Sequence, residues 1–395
     1  MNIRIKKEDM LNYFALILLA LTYYVYVRRR IFGLDRYYIT NLYSTCFKVV
    51  LLLLLLVVII MKTYKQKKVL LASMAVILFV LSLSIYKEKS SITEWIMNFD
   101  ILAYVMAIIA CKDINYRTII KVLLFLYLIL NSYSLVYSMI FRFRSELVIR
   151  DGDSFRYQLG RINGSEVSLI YYYIVLYYCY IRNSKIRFYE KVLLVLTLFV
   201  MYYLTNTRYP FILSLAFMLL VFNVKYIKKI VLSKYFSLLL ALVIVVVPLF
   251  ILYLCISFDA NNQFYVTVNR LLSGRLELVG NAFYEFRIHL FSNEIVYSMV
   301  NYNIIDPSFF IILFEYGILF YIIFVLFLLY FLYLMYKNKD EYLLLVFAFS
   351  VFDMLVNTTI SYFQYNLLLF ALSYKNSMLL DRNINDLKTT HIRFK

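Results

Sequence analysis

Glycine and proline are nearly missing, at seven and three in 395 residues. That alone excludes a collagen-like chain or a Gly/Pro-rich disordered one. Transmembrane helices ordinarily carry more of both residues than soluble helices do. The few present therefore mark places where the backbone must turn or be closely approached. There are two histidines and a single tryptophan. The four cysteines, Cys46, Cys111, Cys179 and Cys255, lie in or beside apolar runs without a CxxC or Cys/His cluster. Neither a disulfide framework nor a zinc site is indicated, and no metal or cofactor is expected. Charge is thin as well: charged residues make up 16% of the chain, against about 25% in a soluble domain.

What is present is apolar. Hydrophobic residues make up 64% and aromatics 19%, and the mean hydropathy is +0.78. A soluble core cannot hide that much apolar surface. The expected class is an all-α, polytopic integral membrane protein whose solvent is the lipid bilayer. A net charge of +18 would suit a nucleic-acid partner, but the basic residues come in short clusters between apolar runs, so none is expected.

A bilayer core takes ~20 apolar residues per helix. On that ruler the whole chain, 1–395, reads as one membrane domain of about twelve spans. They fall at 10–27, 45–61, 69–86, 95–111, 118–140, 167–181, 192–204, 209–224, 235–257, 308–336, 342–357 and 362–380. The N-terminus, MNIRIKKEDM, reads as the approach to a first span rather than as a removed signal peptide. Lysine and arginine gather in the loops that become cytoplasmic when the N-terminus is cytoplasmic, which with twelve spans places the C-terminus there too. Arg28-Arg29-Arg30 resists that assignment. Nearly all of the basic excess is thus topological.

Two loops on the opposite, external face are long: 141–166 and 258–307. Five of the seven glycines, Gly152, Gly160, Gly164, Gly274 and Gly280, lie in them, so chain turns concentrate where a site could be built. Leu272, Leu276, Val279, Phe283 and Phe286 recur at helical spacing. They predict an amphipathic helix over 270–287 lying at the membrane interface.

The first loop carries Arg142, Arg144, Arg150, Arg156 and Arg161, the second Arg270, Arg275 and Arg287, and neither carries lysine. Guanidinium groups match phosphate oxygens with two parallel hydrogen bonds, which points to a phosphate or pyrophosphate site. The same arginines would also serve loop solubility and attraction to anionic headgroups. Arg208, after Thr205 and Thr207 at a span end, can hold an anion or snorkel. Asp100, Glu315 and Asp353 fall inside apolar runs, where a carboxylate is costly and is a functional hypothesis by default. Gly317, two residues after Glu315, would let a helix or ligand approach closely. His289 sits near Glu285, Arg287, Glu294 and Asp306 in sequence. An acceptor-activating base needs such groups, although a lone histidine is more often structural.

These residues together resemble the Wzy-type O-antigen and capsule polymerases, a superfamily shared with the O-antigen ligases. Arg156, Gly160, Asn163 and Gly164 lead into the sixth span. Thr205-Asn206-Thr207-Arg208 resembles the family's Thr/Ser-x-Arg motif, and Ser273-Gly274-Arg275 its Ser-Gly-Arg motif. Asp306 stands before Gly317, in DPSFFIILFEYG, at the family's spacing. Two departures are Pro307 where an asparagine is usual, and Leu276-Glu277-Leu278 where an aromatic is usual.

The resemblance implies a GT-C-like membrane fold and a metal-independent, inverting glycosyl transfer. It implies joining of undecaprenyl-pyrophosphate-linked oligosaccharide repeat units at the external leaflet of a bacterial cytoplasmic membrane, with a flippase and a chain-length co-polymerase as partners. Arg156, Arg161, Arg208, Arg270, Arg275 and Arg287 would face pyrophosphate. Asp306 or His289 would be the base, and Glu315 a further substrate contact. A repeat-unit flippase is the alternative from another class. A ligase is a third reading, against which stands Asp306 in the place of its usual histidine. Heavy use of Tyr, Phe, Ile, Leu, Lys and Asn suggests an A+T-rich bacterial genome, hence a capsule or exopolysaccharide product.

Overall fold

A computed structural model describes residues 7–32, 38–64, 66–87, 100–141, 147–150, 154–157, 159, 164–272, 274–291, 307–357 and 373–374. Each expected apolar run up to residue 357 falls on a helix over its described residues, the run at 95–111 being described from Asp100 onward. These are α1 (Lys7–Phe32), α2 (Tyr38–Thr63), α3 (Lys67–Lys87), α4 (Asp100–Ala110), α5 (Tyr116–Phe141), α6 (Gly164–Arg182), α7 (Phe188–Thr205) and α8 (Arg208–Phe222). They continue with α9 (Val224–Val231), α10 (Lys234–Ile256), α11 (Gln263–Leu271), α12 (Arg275–Phe286), α13 (Ser308–Lys337) and α14 (Glu341–Met354). One short antiparallel ribbon, β1 (Leu147–Arg150) and β2 (Ser154–Tyr157), lies in the first long loop. Among the described residues the fold is all-α apart from that ribbon. The run at 362–380 lies outside the described residues except at Ser373 and Tyr374.

Among the described residues, five segments are long and apolar enough to cross a membrane: Cys46–Thr63 in α2, and the whole of α5, α7, α10 and α13. A sixth arises if α8 and α9 form one bent span. These helices leave large apolar side chains uncovered. On α10, Leu238, Leu239, Leu242 and Phe250 are each more than half exposed. In water that exposure would be a standing cost, and in hydrocarbon it is not.

The chain divides into two compact units, Met1–Leu78 with Phe99–Asn223 and Leu367–Lys395, and Phe79–Asn98 with Val224–Asn366. The first unit has an unusual core of tyrosine. Tyr23, Tyr116, Tyr127, Tyr172, Tyr173 and Tyr177 are fully buried. Tyr127 meets Tyr177 edge to face at 5.6 Å, and Tyr116 meets Tyr180 and Tyr374 at 5.9 and 5.4 Å. Such tilted pairs align ring edges with ring faces. Polar ties join the helices around this core. Lys62 Nζ donates to Asn12 Oδ1 at 2.6 Å and to the Ala110 carbonyl at 2.7 Å, which fastens α2 to α1 and to the end of α4. The α6–α7 turn is closed by Glu190, which accepts from Arg182 at 2.5 Å and from the Arg187 backbone N–H at 2.7 Å.

The second unit is built on α10, α13 and α14. α10 packs against both α12 and α13, and α13 packs against α14. α14 is apolar and buried almost all round, from Tyr342 to Met354, with Phe352 the exposed exception. A helix with no polar face belongs in an interior. Asp340 caps its start by accepting from the Leu343 N–H at 3.0 Å.

Candidate functional site

The second long loop is described over 258–272 and 274–291, on both sides of Ser273. Asn262 starts α11 by accepting from the Phe264 N–H at 3.0 Å. Asn269, in the last turn of α11, organises the turn into α12. Its side-chain oxygen accepts from the N–H groups of Leu276 and Glu277, at 3.1 and 3.3 Å, and its carbonyl accepts from the Gly274 N–H at 2.8 Å. Gly274 turns the chain with φ 84°, a conformation that glycine adopts without steric penalty. One side chain therefore fixes the start of α12.

The amphipathic helix predicted over 270–287 is α12, Arg275–Phe286. Its apolar face docks on the end of α10. Leu276, Val279 and Ala282 are buried, and Tyr284 donates to the Ile256 carbonyl at 3.0 Å. Gly280 sets the closeness of that approach, since a Cβ there would sit 2.5 Å from the Cys255 carbonyl oxygen. Arg270 closes α11 and Arg287 comes directly after α12, and both side chains reach the surface. Arg287 itself has φ 55°. Arg275, first in α12, is half-buried and donates through Nη1 to the Leu272 carbonyl at 3.1 Å. The two N–H groups it precedes are occupied by Asn269, so the start of α12 is closed from within.

His289 is exposed, and its Nε2 lies 3.1 Å from the Phe286 carbonyl. A carbonyl only accepts, so that nitrogen carries the proton and Nδ1 is left as the basic atom of the neutral ring.

The same stretch of chain then enters a break in α13. Gly317 adopts φ 83°, ψ 174°, a region open essentially to glycine alone. In an unbroken helix the N–H groups of Ile318 and Leu319 would donate to the Phe314 and Glu315 carbonyls. They donate instead to the carbonyls of His289 and Leu290, at 3.0 and 3.2 Å. A Cβ on Gly317 would meet the Phe291 carbonyl oxygen at 2.5 Å. The close approach expected at Gly317 is thus made by extended backbone. The two halves of α13 also differ in surroundings. Phe309 through Phe314 are at most 6% exposed, whereas Ile318, Ile322, Ile323, Leu326, Tyr330 and Tyr333 range from 36% to 59%. Glu315 is half-buried two residues before the break. The backbone groups freed by the break are thus bonded inside the protein.

Arg270, Arg275, Arg287, His289 and Glu315 therefore belong to one unit, along one stretch of chain and the helix it enters. Arg156 lies on β2 opposite Val148, and Arg208 begins α8 with its side chain exposed. Both are in the other unit. Asp306 and Arg161 lie outside the described residues. Asp100 opens α4. Asp353 is fully buried and accepts from the Asn357 side chain at 2.7 Å. Asn357 in turn receives the Ser308 hydroxyl and N–H on its own carbonyl, at 2.5 and 3.1 Å, so this carboxylate secures the start of α13 against the end of α14.

Thr205 and Thr207 do not accompany Arg208 outward. Both are buried, and with Ser168 they form a triangle of hydroxyls with sides of 2.5, 2.6 and 2.7 Å. Among the described residues no group of three or more His, Cys, Asp or Glu could hold a metal ion. No protein-family model, curated protein or solved structure matches the chain.

Proposed function

We propose that this membrane protein is a glycosyltransferase-type polymerase. It joins undecaprenyl-pyrophosphate-linked oligosaccharide repeat units into a surface polysaccharide at the external leaflet of a bacterial cytoplasmic membrane. The reading carries about twelve spans, both termini in the cytoplasm and a GT-C-like arrangement. One observation supports it most. The arginine-bearing pair α11–α12 continues directly into the segment bonded across the break in α13, beside Glu315. That joins groups suited to an anionic leaving group with a carboxylate at one end of the lipid-exposed half of α13, the level at which a lipid-linked donor presents its pyrophosphate.

In this reading the growing chain is transferred from its lipid carrier to a hydroxyl of the incoming unit. The carbon–oxygen bond to pyrophosphate breaks as the new glycosidic bond forms, with inversion. Exposed Arg270 and Arg287 stabilise the charge developing on the departing pyrophosphate. Arg275 holds the loop and offers its remaining donors. Asp306 or the Nδ1 of His289 accepts the hydroxyl proton, and Glu315 orients the acceptor sugar.

Gene deletion in the native host should abolish long polysaccharide and leave single lipid-linked units on the outer leaflet. Complementation with the Arg270→Ala/Arg287→Ala protein should give chains shortened severalfold while the protein level is kept. Full-length polysaccharide from the deletion strain would sink the proposal. The broken helix also suits a repeat-unit flippase, since transporters place substrates at discontinuous helices. Single units trapped on the inner leaflet after deletion would select that reading.

A further inference from the structure

The second unit ends, away from the arginine loop, in a set of lysines and apolar side chains that the proposed reaction does not use. α9 has eight residues. Such a helix is about 12 Å long, far short of a bilayer core of about 30 Å. Its side chains sort into strips by helical spacing. Val224, Ile227 and Val231 face inward, with Val224 and Val231 buried, and the helix packs on α14 and α10. Beside them Lys228 donates to Glu341 at 2.9 Å, fixing α9 to the start of α14. The outer surface is split in two. Lys225 and Lys229, one turn apart, make one strip and are exposed. Tyr226 and Ile230 make the next, at 80% and 64% exposed.

The apolar strip does not stop at α9. Tyr235, in the first turn of α10, is 83% exposed, and Leu238, Leu239 and Leu242 continue along α10 at 55%, 60% and 51%. α10 is the most apolar of the candidate spans, with a mean hydropathy of 3.2. Tyr226, Ile230 and Tyr235 therefore stand at the foot of a lipid-exposed helix. The basic strip is extended by Lys234, Lys337 and Lys339, whose side chains also reach the surface. Of the acids at this end, Glu341 is held by Lys228 and Asp340 caps α14. Among the described residues, Lys225, Lys229 and Lys234 have no carboxylate partner.

We infer that α9 and the first turn of α10 form a binding surface for anionic phospholipid headgroups. Tyr226, Ile230 and Tyr235 enter the boundary between headgroup and acyl chain, where amphipathic tyrosine is favoured. Lys225, Lys229 and Lys234 reach from that depth to lipid phosphates, their methylene stems lying on apolar surface. A soluble protein partner would require the same strip to lie in water. The inference does not depend on the polymerase reading.

The test uses the full chain in nanodiscs. The chain has a single tryptophan, Trp95, so Tyr226→Trp in a Trp95→Phe background reports from α9 alone. Its indole should be quenched by lipids brominated high on the acyl chain and shielded from aqueous acrylamide. An acrylamide-accessible indole that brominated lipid does not quench would overturn the inference in favour of a protein partner. In discs mixing phosphatidylglycerol with phosphatidylcholine, the protein should enrich the anionic lipid around itself. Lys225→Gln/Lys229→Gln/Lys234→Gln should lower that enrichment by at least about fivefold, with helix content by circular dichroism unchanged. Undiminished enrichment in that folded variant would equally overturn it.

Discussion

Three glycines differ in what holds them, and that ranks their substitutions. Gly274 has a positive φ but nothing within 4 Å of an added Cβ. Gly274→Ala meets dihedral strain only, about 1 kcal/mol, and Gly274→Asn should be milder still, because asparagine tolerates this region. Gly280 lacks a positive φ, but a Cβ added there would sit 2.5 Å from the Cys255 carbonyl oxygen, so Gly280→Ala forces α12 off α10 at roughly 1–3 kcal/mol. Gly317 carries both penalties, and Gly317→Ala should cost roughly 2–5 kcal/mol. Thermal unfolding of the three alanine variants in detergent should lower Tm most for Gly317, less for Gly280 and least for Gly274. A Gly317→Ala protein as stable as the parent would mean that the break in α13 is not what the geometry indicates. The hydroxyl triangle gives a second prediction at this scale. Ser168→Ala removes a partner from both Thr205 and Thr207, and should destabilise by about 1–3 kcal/mol in the same assay. Arg208→Ala, exposed, should leave stability unchanged.

At the scale of elements, the most local dependence is on Lys62, through which α2 grips both α1 and the end of α4. Lys62→Met keeps the apolar stem and deletes the donor. Asn12 and the Ala110 carbonyl each lose a charged partner, a loss of about 1.5–3 kcal/mol per bond. Limited proteolysis should then cut more readily around residues 62–68 and 111–115. Unaltered cleavage there would show that the tie is dispensable.

Element positions were largely legible in the chain, because long apolar runs and the spacing of Leu276, Val279 and Phe283 are local signals. Partners were not. The ribbon of LVIR and SFRY was missed because four-residue strands carry too little alternation to register. Asn269 gave no signal, since its role as the cap of α12 depends on a turn at Gly274. Gly317 was legible as a place of close approach. That the visitor is the backbone of His289–Phe291 was not, because backbone leaves no side-chain signature. The grouping of Ser168 with Thr205 and Thr207 joins residues 37 and 39 positions apart. Sequence spacing set the threonines beside Arg208 as part of a candidate anion site, and gave no sign of Ser168.

For the whole molecule, the break in α13 acts as a ruler. The half before Gly317 is walled in by protein, and the half from Ile318 to Lys337 is the part that shows apolar side chains to its surroundings. That second half is about 20 residues, hence about 30 Å long, which is the thickness of a hydrocarbon core. The bonds from Ile318 and Leu319 to the arginine loop place the loop at one end of this measured length. Membrane thickness should therefore register in the loop. In phosphatidylcholines of graded chain length, thermal stability should peak where the core is about 30 Å thick, and protease cleavage near residues 287–291 should be slowest there. A response flat across chain lengths would separate the two. In a matched membrane, a single glycine tells the loop how deep to sit.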